Sequence, residues 1–210
     1  MATKAESTAA RSRKRPAEVL TQKEMKRLIA APSRRAPSGI RNRALLVVAY
    51  RGGLRCQEAL DLMPADLDLE DGAVHVRHGK GDKSRRIWLD DGARLILAEW
   101  ARVREGLGIC STSAFFSTLD GRPLQTAYVR GLMKRLARRA GIEKRVSFHG
   151  LRHTYASELA AEGIPVNQIQ RLLGHSSLAT TATYLAHVSA HDLAEAVARR
   201  PEWTDAPKPK

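Results

Sequence analysis

The hydrophobic pattern of this chain leaves its helical period in one stretch only, and that interruption fixes its fold class. Most apolar residues from Leu20 onward recur at helical spacing. Ala93, Ile96, Leu97 and Trp100 fall at i, i+3, i+4 and i+7, and Val129, Leu132, Leu136 and Ala140 line one face of a helix that Gly141 ends. Residues 66–89 read differently. Two short alternating runs, 67–70 and 73–77, flank Asp71-Gly72, a dipeptide that accepts the positive φ of a tight hairpin. A second turn, Gly79-Lys80-Gly81-Asp82, leads into a third run at 85–89. The expected fold is mainly α with a small three-stranded antiparallel sheet.

Punctuation places the helices. Thr21 and Glu24 form a capping box, in which a hydroxyl and a carboxylate satisfy free N–H groups at a helix start, and Pro32 limits that helix. A second helix is expected at 41–50 through an apolar stretch that marks it as buried, and Gly52-Gly53 stop it. A short helix follows at 55–62. Further helices are expected at 148–162, 165–173 (with Pro165 in its first turn), 178–186 and 190–199. The helix before Gly141 carries Arg130, Lys134, Arg135, Arg138 and Arg139 away from its apolar face. That face suits a phosphate backbone, or is simply solvated.

Charge narrows the partner. Lys and Arg number 36 against 22 Asp and Glu, a formal net charge of +14. Such a field favours a polyanion, with nucleic acid first, although a basic protein of ribosomal type fits the same balance. Two cysteines, Cys56 and Cys110, make no disulfide framework and no paired metal-ligand spacing. No apolar run approaches the roughly 18 residues of a membrane span. The reading is cytoplasmic, nucleoid-associated and without membrane contact. Residues 1–16 are small, polar and basic, and read as a disordered arm; 17–200 form the domain and 201–210 a tail.

Four segments carry chemistry: Gly53-Leu54-Arg55-Cys56-Gln57-Glu58, Gly79-Lys80-Gly81, His149-Gly150-Leu151-Arg152-His153 and Leu173-Gly174-His175, with Tyr184 nine residues beyond the last. His149 and Arg152 lie three apart on a helix and share a face, while Leu151, Tyr155 and Leu159 anchor the other side. Arg55 sits at a helix start, where Glu58 reaches back to orient it. Arg, Lys, His and Tyr without an acidic cluster suit a phosphodiester centre. Guanidinium forks bind non-bridging oxygens and stay charged, so a pentacoordinate phosphorus is stabilised without a metal. A tyrosine oxygen forms a covalent ester with phosphorus, and a lysine protonates the leaving oxygen. Such a transesterification conserves the bond energy and needs no ATP and no cofactor. The i, i+4 pairs His149/His153 and His187/His191 suit zinc, but neither set is completed by cysteine or a well-spaced carboxylate. His153 reads as a packing residue, and Lys83, Arg85 and Arg86 as a solvated or DNA-facing rim.

Taken in order, the segments resemble the tyrosine recombinase (phage integrase) family over about residues 17–200. The family's signature is an Arg in a Gly-Leu-Arg-x-x-Glu helix, a hairpin Lys, a His-x-Leu-Arg-His box, a Leu-Gly-His box and a Tyr; here these stand as Arg55, Lys80, His149 with Arg152, His175 and Tyr184. The resemblance implies that Tyr184 attacks the scissile phosphate to give a 3′-phosphotyrosyl link and a free 5′-hydroxyl. It implies that Arg55, Arg152 and His175 hold the phosphate oxygens, that Lys80 is the general acid, and that His149 is the base or an orienting donor. It also implies a double-stranded DNA recombination site as partner, a homo-tetramer on DNA, and a place for an accessory DNA-bending protein. Family members usually carry a helical core-binding domain ahead of the catalytic part, and the expectation here is a chain without one. Two other readings stay open: a cleavage-silent DNA-binding regulator on the same fold, and a type IB topoisomerase-like activity.

Overall fold

The computed structural model describes residues 18–77 and 84–174. The elements expected at 178–186 and 190–199, and Lys80, His175 and Tyr184 among the site residues, lie outside them. Among the described residues, seven α-helices and three strands follow in the order α1 (Gln22–Ala30), α2 (Pro37–Arg51), α3 (Cys56–Leu60), β1 (Leu67–Asp68), β2 (Ala73–Val76), β3 (Arg85–Trp88), α4 (Asp91–Gly106), α5 (Thr126–Arg139), α6 (Phe148–Ala161) and α7 (Val166–Leu173). The architecture is the expected mainly helical one with a small antiparallel sheet.

Helix α2 is the axis of the core. Ala44 to Tyr50 are all buried, and it packs against both α4 and α6. A helix apolar on every side has nowhere to go but the interior. It starts at Pro37, four residues before the start expected at 41, because proline's fixed φ suits a first helical position. Helix α4 buries Ala93, Leu97 and Trp100, as its spacing predicts. The Trp100 indole donates to the Phe115 carbonyl at 2.8 Å, which fixes the segment after the helix. Helix α5 buries Val129, Leu132, Met133, Leu136 and Ala137 and leaves its five basic residues exposed.

The sheet has the order β1-β2-β3, with Leu67 opposite Val74 and Val76 opposite Arg85. Gly72 makes the first turn at φ 72°, where a non-glycine residue is strained. The strands are shorter than the alternating runs suggest, β1 having only two residues. On β3, Arg85 and Ile87 turn inward while Arg86 and Trp88 are exposed.

The start of the described chain is tied down. The Thr21/Glu24 capping box forms, and Lys144 reaches both Glu24 (2.8 Å) and the Val19 carbonyl (3.1 Å). The Leu20 amide donates to the buried Thr154 hydroxyl of α6 at 3.1 Å, and that hydroxyl donates in turn to the Gly150 carbonyl at 3.0 Å. Thr154→Val keeps the shape and leaves a buried N–H without a partner. It should cost about 1–3 kcal/mol, read as a lower urea midpoint, with faster hydrogen exchange at the Leu20 amide. An unchanged midpoint would show that this tie contributes nothing.

Candidate active site

The site is built where three chain reversals meet: the Gly52-Gly53 break after α2, the inner face of β3, and the C-terminal end of α7. Gly53 has φ 60°, and a Cβ there would come within 2.6 Å of Leu173 and 2.9 Å of Tyr155. Only glycine allows both the left-handed turn and the close approach of α7. That turn sets Arg55 at the N-cap of α3. Glu58, one turn on, accepts from the Arg55 backbone N–H at 2.9 Å and from its guanidinium at 2.5 Å. The carboxylate thus caps the helix and fixes the side chain that precedes it.

Glu58 has a second partner that the sequence reading misplaces. Arg85, expected on a solvated rim, lies inward with its side chain 10% exposed. It meets both Glu58 oxygens, at 3.0 and 2.7 Å, in a fork-to-fork pair. The signal that finds it is the strand's alternation: Arg85 shares a face with the buried Ile87. Arg86 is exposed, as expected. Burial alone pushes the Glu58 carboxyl up. Hydrogen bonds from Arg85 and the Arg55 backbone, with the Arg85 charge, overcome it and hold the group at about 2.

Arg152 completes the cluster from α6, where Ser147 caps the helix by accepting from Gly150 N–H at 3.0 Å. Its side chain is fully enclosed. One nitrogen donates to the Gly53 carbonyl at 2.7 Å, another to the Leu173 carbonyl at 2.6 Å, and it lies 3.8 Å from Glu58.

The three arginines together clasp the end of α7. Arg85 donates to the Leu172 carbonyl (3.1 Å), Arg152 to that of Leu173 (2.6 Å) and Arg55 to that of Gly174 (3.2 Å). These carbonyls have no acceptor role inside the helix and carry its negative end, so cations are their natural partners. Gly174 turns the chain at φ 65°, and a Cβ there would sit 3.0 Å from Arg85. The residue that follows is His175. The structure therefore brings Arg55, Glu58, Arg85 and Arg152 together around the last residue before it.

His149 begins the same helix as Arg152 and lies exposed. Its ring meets that of His153 edge to face, with centroids 4.7 Å apart. Partial burial lowers its pKa, and the positive charges of Arg152 and Arg55 lower it further. The imidazole is neutral above its midpoint and charged below it, so a lowered midpoint keeps it a proton acceptor at neutral pH.

On the neighbouring face, α5 and residues 142–148 border a groove of about 640 Å³. Arg130, Lys134, Arg138, Lys144 and Arg145 rim it, over a floor of Met133, Ala137 and Phe148.

A half-buried cluster of three arginines on a helical domain with a small sheet defines a candidate phosphodiester site. Residues 18–191 match the Phage integrase family, and the chain belongs to that family. It is 32% identical over 186 residues to the tyrosine recombinase XerC of Lactobacillus leichmannii, covering 87% of this chain and 62% of that one. Among solved structures, the XerA recombinase superposes with a TM-score of 0.76 at 32% identity, over 89% of this chain and 66% of that one. The XerH site-specific recombinase, in a post-cleavage complex with palindromic difH substrate, gives 0.72 at 29% identity, over 87% and 53%. The chain thus spans less than two thirds of the length of each of these relatives.

Two outcomes follow from this geometry. Gly53→Ala adds backbone strain and a clash with α7, and should cost more than about 1 kcal/mol, seen as a lowered melting temperature. A melting temperature equal to that of the unaltered protein would remove the close approach from the account. In an NMR pH titration His149 should have a midpoint below about 6.5, and Arg55→Ala should raise it. A midpoint indifferent to Arg55 would mean that this charge is not felt at the ring.

Proposed function

We propose that the protein is a site-specific DNA recombinase that cleaves and rejoins strands through a covalent bond to Tyr184. The observation that carries the reading is the half-buried cluster of Arg55, Arg85 and Arg152 around Glu58, whose three guanidinium groups donate to the carbonyls of Leu172, Leu173 and Gly174, the residues preceding His175. Family membership supports it, as do relatives named tyrosine recombinases.

In this reaction the Tyr184 oxygen attacks the scissile phosphorus and its proton passes to His149. The bond from phosphorus to the 5′-oxygen breaks, and that oxygen takes a proton from Lys80. The products are a 3′-phosphotyrosyl link and a free 5′-hydroxyl. Rejoining is the reverse, with a 5′-hydroxyl as the attacking group. Arg55, whose side chain keeps 28% of its surface exposed, Arg152 and His175 hold the non-bridging oxygens, where charge grows in the transition state. Arg152 acts from beneath, and its direct contact with the phosphate requires the Leu173 carbonyl to give way. The chemistry uses no metal and no ATP.

The basic groove beside α5 supplies backbone contacts to duplex DNA, so binding should weaken steeply with salt. Residues 17–200 are the catalytic unit, between a basic arm at 1–16 and a tail at 201–210. The working form on DNA is a homo-tetramer spanning two recombination sites, with an accessory DNA-bending protein assisting where the sites require it.

The test is a nicked duplex from which the short 5′-ended fragment diffuses away after cleavage, leaving the protein trapped on the DNA. The protein should form an adduct that survives denaturing gels, and Tyr184→Phe should form none. An adduct persisting in Tyr184→Phe would sink the assignment.

A further inference from the structure

Arg85 is the charged side chain of this cluster that the reaction above does not use. All three of its guanidinium nitrogens are engaged: Nε with the Leu172 carbonyl, Nη1 and Nη2 with the two Glu58 oxygens. Both ends of its fork are tied to an anion, a stronger partner than the neutral carbonyls that hold the Arg152 fork, so of the three arginines it is the least able to turn to a phosphate. Its contribution must come through another group.

Charge balance shows which group. Glu58 is a buried anion with its side chain 4% exposed, and three guanidinium groups surround it. Three cations and one anion leave two positive charges. Of the three, Arg85 alone meets both carboxylate oxygens through its guanidinium; Arg55 does so through one Nη and Arg152 stands off at 3.8 Å. Were Arg85 neutral, the same carboxylate would draw on Arg55 and Arg152, and one positive charge would remain. In a half-buried site that loss is poorly screened by water and salt.

We propose that Arg85 is a positioning residue for strand cleavage: it takes up the charge of Glu58, so that Arg55 and Arg152 keep theirs for the scissile phosphate. The inference rests on the reading of this cluster as a phosphodiester-cleaving site. It separates two duties that the sequence joins in one carboxylate. Glu58 caps α3 and orients Arg55 as a hydrogen-bond acceptor, a role that a neutral amide oxygen can also fill, yet its negative charge beside the phosphate opposes the reaction. Arg85 resolves that conflict. The rival account makes Arg85 a mechanical clamp on the end of α7.

The experiment uses the full chain and a nicked duplex selected from a randomised pool by covalent capture on the unaltered protein. It reads the single-turnover rate of adduct formation at saturating DNA, with DNA affinity measured separately. Arg85→Gln removes the charge and should slow cleavage about 100-fold, with affinity changed less than about threefold. Arg85→Lys keeps the charge without the fork and should stay within about tenfold of the unaltered protein. Adding Glu58→Gln to Arg85→Gln restores the balance of two positive charges and should recover at least about tenfold over Arg85→Gln alone.

A clamp predicts otherwise: Lys and Gln at position 85 would fail alike, and the double variant would be no faster than the single one. Either result overturns the proposal. Circular dichroism and melting temperature establish that each variant folds. If Arg85→Gln does not fold, the double variant, which buries no unpaired carboxylate, carries the test and must fall within about tenfold of Arg85→Lys. No adduct from the unaltered protein with any duplex would overturn the strand-transfer reading and this one together. An adduct from it, with Arg85→Gln equally fast, would overturn this one alone.

Discussion

One buried carboxylate organises this molecule. Glu58 caps α3, fixes Arg55, receives the fork of Arg85 and lies beside Arg152. A lone ionised group in such a place is costly, and pairing with guanidinium groups offsets much of that cost. Removing any one partner leaves the others unbalanced. The cluster is therefore a unit, and its members hold each other in charge as well as in position.

The same arginines join parts of the chain that are remote in sequence. The turn after α2, the inner face of β3 and the end of α7, which lie between Gly53 and Gly174, are bound through these side chains. The bonds run to backbone carbonyls, so the end of α7 is held by three separate anchors. Glycine at 53 and at 174 is what lets the backbones approach so closely. Packing of Ile169 and Leu173 against Ala156 supplies the apolar half of the same junction.

Much of this was legible before any coordinates. The apolar run within α2 reads as a buried helix, the Asp71-Gly72 turn as a hairpin, and Glu58 as the residue that reaches back to Arg55, because local spacing and residue chemistry carry those signals. Arg85 shows where that legibility stops. A charged residue next to Arg86 and Lys83 looks like surface, and only its register opposite Val76 and its partner 27 positions away make it interior. The enclosure of Arg152 by the Gly53 and Leu173 carbonyls was likewise invisible, since a sequence names donors but not the backbone acceptors that a fold delivers to them.

The sequence by itself determined the helical and strand periods, the caps and turns, the basic charge, and the ordered set of Arg55, Lys80, His149, Arg152, His175 and Tyr184. Each of these depends on residue type and on neighbours within a few positions. Tertiary structure decided which charges face water and which face one another. It turned Arg85 from a rim residue into the counter-ion of Glu58, and it gave the end of α7 three cationic partners. The reason is that burial and ion pairing depend on distance in space, and across a chain reversal that distance is set by the packing of the whole domain.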